Sequence, residues 1–173
     1  MKLPFRRREF VIEALTEEDA WLLPAIHLED FSRPWSESEF EALLAQGPVF
    51  GFAAWRFGER KAGPVGFVLA RLAAGEGEIL TVAVLRSCRG LGLGRDLMEA
   101  VLRELHAQRA EALFLEVDET NTPAVALYRR LGFHEVARRP GYYGEVGEPK
   151  TSAIVMRRDL RRPQTPGQAR DDR

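Results

Sequence analysis

Cysteine is nearly missing from this chain: one residue, Cys88, in 173. A single thiol excludes an intramolecular disulfide and a cysteine-built metal cluster. With three histidines in all and no histidine pattern near it, Cys88 reads as a bystander rather than a nucleophile. Long apolar runs are absent as well. No uninterrupted stretch approaches the ~20 residues of a membrane span, and no apolar segment of the secretory kind follows the basic start Met-Lys-Leu-Pro-Phe-Arg-Arg-Arg. Neither sign of charge dominates. With 25 basic and 26 acidic residues the formal net charge is −1, which gives no overall pull toward nucleic acid or an anionic bilayer. The expectation is a cytoplasmic protein that binds neither nucleic acid directly nor membrane.

What is present is a core. An apolar content of 45% in 173 residues suits one globular domain with short tails. The domain is expected over 10–160, with a flexible lead-in over 1–9 and a disordered tail over 161–173. From Arg158 onward almost nothing apolar remains.

The organising stretch runs from Glu78 to Gln108. Glu78–Leu85 reads as a strand without strict alternation, hence buried on both faces. A loop follows, Arg86 to Gly94, and then a helix through His106 with Leu97, Val101, Leu102 and Leu105 on one stripe. Gly90, Gly92 and Gly94 stand at alternate positions between them. Glycine permits positive φ and close approach to its N–H. A strand, a glycine turn and a helix N-terminus together suit a phosphate, because the first helical N–H groups lack partners. Arg95-Asp96 after the last glycine is wrong for a nucleotide-triphosphatase loop, and the glycine spacing is wrong for a dinucleotide fingerprint. An ordinary glycine-rich turn is the plain alternative.

Around that stretch the chain reads as follows. Phe10–Leu15 is a strand, and Thr16 caps a helix carrying Trp21, Leu22, Leu23 and Ile26, interrupted by Pro24. Ser36, with Glu39 in capping-box position, opens a second helix to about Ala45. Val49–Phe57 and Pro64–Leu72 form a hairpin. Ala112–Val117 is a short strand, almost wholly buried. Thr122 and Pro123 open a helix whose apolar face is Ala124, Leu127, Tyr128 and Leu131, and Gly132 ends it. Phe133–Arg138 and Thr151–Arg157 are the last strands, joined by a turn-rich connection over Pro140–Lys150.

Two residues sit against their surroundings. Glu116 interrupts a core strand, and a carboxylate there is paired, raised in pKa, or facing a gap in the sheet. Tyr128 lies on the apolar face of its helix, where a core tyrosine with a satisfied hydroxyl is the plain alternative.

Arg89-Gly-Leu-Gly92-Leu-Gly94 resembles the pyrophosphate loop of the GCN5-related N-acetyltransferase (GNAT) family. Asn121-Thr-Pro-Ala124-Val-Ala-Leu127-Tyr128-Arg-Arg-Leu131-Gly132-Phe133 resembles that family's second signature, in the right order about thirty residues on. Within the family the chain is most similar to the RimI-type ribosomal-protein-alanine N-acetyltransferases. That similarity rests on Arg33-Pro-Trp-Ser36, Leu115-Glu-Val117, Arg138-Arg-Pro-Gly-Tyr-Tyr143 and Ala153-Ile-Val-Met156. One departure is Ser152, where relatives often carry an acid.

The resemblance implies an α/β (α+β) domain. Its mixed, mostly antiparallel sheet would splay between the fourth and fifth strands, flanked by about four helices. It implies acetyl-CoA as co-substrate, held by Val82, Ala83, Val84, Arg89, Gly90, Leu91, Gly92, Leu93, Gly94, Arg95, Asn121 and Tyr128. Pantetheine would lie along the organising strand like an added strand. Glu116 is then the general base and Tyr128 the group that meets the leaving thiolate, with Trp35, Tyr142 and Tyr143 lining the acceptor site. No metal is required, and transfer is direct in a ternary complex. The implied acceptor is a protein N-terminus, that of a small-subunit ribosomal protein, and the implied state is a monomer or weak dimer. A small-molecule amine as acceptor, or a catalytically silent acyl-CoA-binding module, stays open.

Overall fold

In the computed structural model, which describes residues 9–161, β1 (Phe10–Ala14) leads through a 3-10 turn, Glu17–Leu22, into α1 (Leu23–His27) and α2 (Glu37–Leu44). Then come β2 (Val49–Arg56), β3 (Gly66–Ala73), β4 (Glu76–Val84), α3 (Leu93–Ala107), β5 (Ala112–Asp118), α4 (Thr122–Arg130), β6 (His134–Tyr143) and β7 (Thr151–Asp159). The seven strands form one sheet in the order β1-β2-β3-β4-β5-β7-β6. Every neighbouring pair is antiparallel except β4–β5. The expected lead-in and tail lie outside the described residues, apart from Glu9 and Arg161. No helix among the described residues is long and apolar enough to cross a membrane.

Two apolar layers cover the sheet. On one face Leu97, Met98, Val101 and Leu105 of α3 pack with Val125 and Tyr128 of α4 against Val68, Ala70, Leu113 and Leu115. On the other, Leu23 and Ile26 of α1 and Phe40 of α2 pack against Ala53, Phe67, Leu69 and Ala83. The stripe expected on α3 is the buried one. On α4, Val125 is buried while Ala124 and Leu127 are only half-buried.

Local chemistry explains most boundaries. Ser36 Oγ accepts from Glu39 N–H (3.3 Å), and Glu39 Oε2 accepts from Ser36 N–H (2.7 Å), so the expected capping box opens α2. The helix expected after Thr16 is split, and Pro24 sits in the first turn of α1, where a missing N–H costs nothing. Trp21 lies on the 3-10 turn and is exposed rather than core. The N-cap of α4 is Asn121, not Thr122: its Oδ1 accepts from Ala124 N–H at 3.3 Å.

Three strand expectations are corrected. β6 runs through Pro140–Tyr143 instead of ending at Arg138, leaving 144–150 as the connection. It is an edge strand with a register shift between Arg139 and Tyr143, so Pro140 removes no interior ladder bond. β7 continues through Arg158 and Asp159, and Leu160 is buried with its N–H on Glu111 O (2.9 Å), so the tail begins later than Arg158.

β4 is not buried on both faces: Leu80, Val82 and Val84 remain half-exposed. Its broken alternation has another cause, a β-bulge. Ile79 pairs with Ala70 and Thr81 with Leu69, leaving Leu80 without a partner on β3. The extra residue turns Leu80, Thr81 and Ala83 toward α1–α2, and Ile79, Val82 and Val84 toward α3.

Candidate active site

The site begins where the sheet opens. β4 and β5 pair only at Glu76↔Ala112, Gly77↔Leu113 and Glu78↔Phe114. From Ile79 and Leu115 onward the two strands part, and each keeps only its other neighbour. The expected splay between fourth and fifth strands is therefore present. The backbone groups of β4 that turn toward β5 are free there to bond an extended ligand as a strand would. The Val82 and Val84 side chains are half-buried on the α3 side of the sheet, whereas the Ala83 side chain is packed in the α1–α2 core and offers only its backbone.

At the far end of β4 lies the glycine loop. Gly90 and Gly92 have φ +75° and +83°, and nothing lies within 4 Å of where a Cβ would stand on either. Gly92 is the N-cap of α3 and supplies no side-chain cap. The first intrahelical bond is Asp96 N–H to Gly92 O (3.0 Å), which leaves the N–H groups of Leu93, Gly94 and Arg95 directed out of the helix end. Open space in front of unpartnered N–H groups at the positive end of a 15-residue helix fits a pyrophosphate.

The side chains of the loop do less than its backbone. Leu93 is buried in the core, Leu91 points outward at 52% exposure, and Arg95 Nε bonds Glu99 Oε1 (3.0 Å). Arg89 is ion-paired with Asp30 of the α1–α2 loop. Arg86 N–H also donates to Glu29 Oε2 (2.7 Å), so two neighbouring contacts tie the α1–α2 loop to the phosphate loop.

Glu116 lies in the stretch of β5 that has parted from β4 while still paired with β7, and among the expected alternatives it is both ion-paired and at the gap. Its carboxylate meets Arg139 Nη2 at 3.1 Å, with the side chain 32% exposed. The guanidinium of Arg139 lies over the Tyr142 ring (5.6 Å), and Tyr142 packs edge-on against Tyr143 at 5.1 Å. Burial, and then the charges of Glu116, Tyr142 and Asp118, push the Tyr143 phenol above its usual pKa. Glu116, Arg139, Tyr142 and Tyr143 are thus one cluster. Ser152 donates its backbone N–H to Glu119 Oε1 (2.9 Å), so a carboxylate stands beside this position.

Tyr128 approaches from the opposite face of the sheet. The end of α4 holds it in place. Phe133 N–H donates to Tyr128 O (3.0 Å) and Gly132 N–H to Arg129 O (3.0 Å), with Gly132 at φ +88°. This is a Schellman ending, and its customary apolar contact is the Tyr128–Phe133 ring pair at 5.9 Å. The spacing Tyr-x-x-x-Gly-Phe is therefore a device for orienting this tyrosine. The ring is 6% exposed, and burial pushes the phenol up to about 12. Among the described residues no buried side-chain polar atom lacks a partner and no group bonds this hydroxyl, so the hydroxyl keeps some access to solvent. Asn121 spends its Oδ1 on the α4 cap, which leaves its amide NH₂ for a ligand.

Trp35 is half-buried, stacked beside His27 (5.0 Å) and tilted against Phe40 (5.6 Å). His27 itself escaped the sequence reading. Its place beside Leu23 and Ile26 on one helical face was the available signal.

A family model described as acetyltransferase (GNAT) family matches residues 20–133. The chain is 33% identical over 135 residues to the ribosomal protein bS18-alanine N-acetyltransferase of Escherichia coli, covering 76% of this chain and 86% of that one. It is 34% identical over 151 residues to the N-alpha-acetyltransferase RimI of Mycobacterium tuberculosis, covering 86% and 91%. Among solved structures it is similar to the crystal structure of the E. coli ribosomal-protein-S18-alanine N-acetyltransferase, with a TM-score of 0.79 and 28% identity over 87% of this chain and 94% of that one.

Proposed function

The chain belongs to the acetyltransferase (GNAT) family, and from that premise we propose that it transfers an acetyl group from acetyl-CoA to the α-amino group of a protein N-terminus. The acceptor we infer is the N-terminal alanine of a small-subunit ribosomal protein, the substrate named for its E. coli relative. The observation that carries the proposal is the parting of β4 from β5 after three residue pairs, with Glu116 on the freed stretch. The setting proposed is the cytoplasm.

Acetyl-CoA supplies an activated acyl group as a thioester. The protein's part is to hold it, to admit the amine and to manage two protons. Backbone groups of β4 from Ile79 on bond the pantetheine, and the N–H groups at Gly92–Arg95 receive the pyrophosphate. An α-ammonium has a pKa near 7.7–8.0, so most of it is protonated and not nucleophilic at neutral pH. Glu116 removes that proton, directly or through water. Until the ammonium arrives Arg139 is its counter-charge, and the incoming cation takes that place.

Tyr128 serves the other end. A phenol held at about 12 stays protonated throughout the working range. It donates a hydrogen bond to the departing thiolate sulfur. Base and acid approach the gap from opposite faces of the sheet, so neither neutralises the other. Both groups are present, which disfavours a silent acyl-CoA-binding module.

The test is mass spectrometry of N-terminal peptides incubated with acetyl-CoA, with free lysine and aminoglycosides as competitors. The expected product carries one acetyl group on the peptide α-nitrogen. Preferential acetylation of a competitor would replace this acceptor by a small amine.

A further inference from the structure

One buried polar side chain has no part in the chemistry above. His27, the last residue of α1, is 1% exposed. Its Nδ1 accepts from Trp35 N–H at 3.0 Å, and its Nε2 lies 3.2 Å from Thr81 Oγ1. An accepting Nδ1 places the ring proton on Nε2, so Nε2–H donates to the threonine hydroxyl. Burial holds the imidazole down at about 4, against a weaker upward pull from Glu39, so the ring is neutral and the tautomer fixed.

What the ring touches gives this meaning. Phe31 stacks on it at 4.0 Å and 13°, Trp35 at 5.0 Å and 29°, and Phe40 meets it edge-on at 5.4 Å. Phe31 and Trp35 lie in the loop joining α1 to α2, and Thr81 is the residue that the bulge turns toward that loop. One imidazole therefore clamps the middle and the end of the loop onto the part of β4 beside the opened seam. Packing alone does not require histidine, since phenylalanine would stack as well. The two directional bonds need a polar side chain, because a carbon ring would leave the half-buried Trp35 N–H without this partner.

We infer that His27 is a positioning residue for the acceptor: its two hydrogen bonds fix the distance between the Phe31–Trp35 wall and the bulged segment of β4, and so where the amine meets the thioester. This rests on the acetyl transfer proposed above, but the clamp itself is read without any acceptor. His27→Phe keeps the stack and loses both bonds. His27→Asn can return Oδ1 to the Trp35 N–H, and His27→Gln can return Nε2 to Thr81.

The experiment pairs amide hydrogen exchange at Trp35 with steady-state kinetics on a peptide acceptor and calorimetry of acetyl-CoA. In His27→Phe, protection of the Trp35 amide should fall about tenfold and acceptor KM should rise about tenfold. Acetyl-CoA Kd should stay within twofold. His27→Asn should recover Trp35 protection and part of the KM. Equal Trp35 protection in parent and His27→Phe would overturn the clamp. A KM that moves only in step with Kd and Tm would also overturn it, by reducing His27 to general stability. Should His27→Phe not fold, the comparison is Asn against Gln: protection kept in Asn alone supports the clamp, and equal protection in both overturns it. A parent enzyme that acetylates no peptide would sink the proposed acceptor, while Trp35 exchange still decides the clamp.

Discussion

Gly92 holds φ +83° with no atom within 4 Å of where a Cβ would stand, so an alanine there perturbs two things at once. The first is conformational. An L-residue in the left-handed region costs about 1–2 kcal/mol, and at about 1.4 kcal/mol per decade that is roughly 5- to 30-fold in any equilibrium needing this conformation. The second is spatial, because the new methyl group enters the space proposed for the pyrophosphate. The assay is calorimetric titration with acetyl-CoA, and Kd for Gly92→Ala should rise at least about tenfold. Gly58 supplies the control: its φ is +78°, nothing lies within 4 Å of its Cβ position, and it belongs to the β2–β3 connection. Gly58→Ala should lower Tm by a similar amount and leave Kd within twofold. Acetyl-pantetheine, which lacks the diphosphate, should bind parent and Gly92→Ala alike. An unchanged Kd in Gly92→Ala, or an equal loss for acetyl-pantetheine, would remove the loop from the phosphate site.

The remaining expectations concern charge and protons. Glu116→Gln should lower kcat about 10²–10⁴-fold near neutral pH with acetyl-CoA affinity unchanged, and the deficit should shrink at high pH, where the amine is already neutral; parental turnover in an assay limited by chemistry would leave Glu116 as an ion-pair partner of Arg139. Tyr128→Phe should lower kcat without that rescue, and the double variant should lose less than the product of the single losses. Asp30→Ala frees Arg89 for the phosphates, so acetyl-CoA Kd should tighten about two- to fivefold at low salt and less at high salt; weaker binding would mean that Asp30 holds Arg89 in its working position. His27 has its folded pKa lowered to about 4 from 6.5, so its contribution is complete above pH 6.5 and is lost as pH falls through 4. At about 1.4 kcal/mol per unit this amounts to about 3 kcal/mol, and urea titrations between pH 4.5 and 7 should show a shallower acid loss for His27→Phe; an unchanged slope would place the ring's charge change elsewhere.

Elements specified by near neighbours in the chain were legible in the sequence. The capping box at Ser36, the stripe on α3 and the Gly132 ending of α4 each depend on residues within a few positions, and each appears as read. Glu116 and Tyr128 stood out because a carboxylate in a strand and a phenol on an apolar face break a local pattern. What stayed hidden depends on partners far along the chain. Pro140 and Gly141 read as a turn because nothing nearby says that β6 is an edge, where a proline is tolerated. The bulge at Leu80 exists only in the register with β3, and it imitates the pattern of a strand buried on both faces. His27 acquires its role from Trp35 and from Thr81, 54 residues away, and Arg89 from Asp30, 59 residues away. Asn121 stands before Thr-Pro, where a cofactor ligand and a helix cap are equally suited, and its Oδ1 serves the cap.

The wedge between β4 and β5 also bears on how this protein avoids sticking to others. Unpaired strand backbone invites a strand from another chain, which is why outer edges are usually kept short, charged or kinked. Here the outer edges fit that pattern: β1 has five residues, and β6 carries Arg138, Arg139, Pro140 and a register break. The backbone reserved for a ligand lies mid-sheet instead. It is closed at the Glu76–Glu78 end, with α3 and α4 on one face and α1 with its following loop on the other. A slender single chain such as pantetheine can enter from the open end. A second sheet, which must bring its own neighbouring strands, meets the flanking helices first. The strand backbone left unpaired by the parting of β4 and β5 thus lies inside the sheet and away from its outer edges.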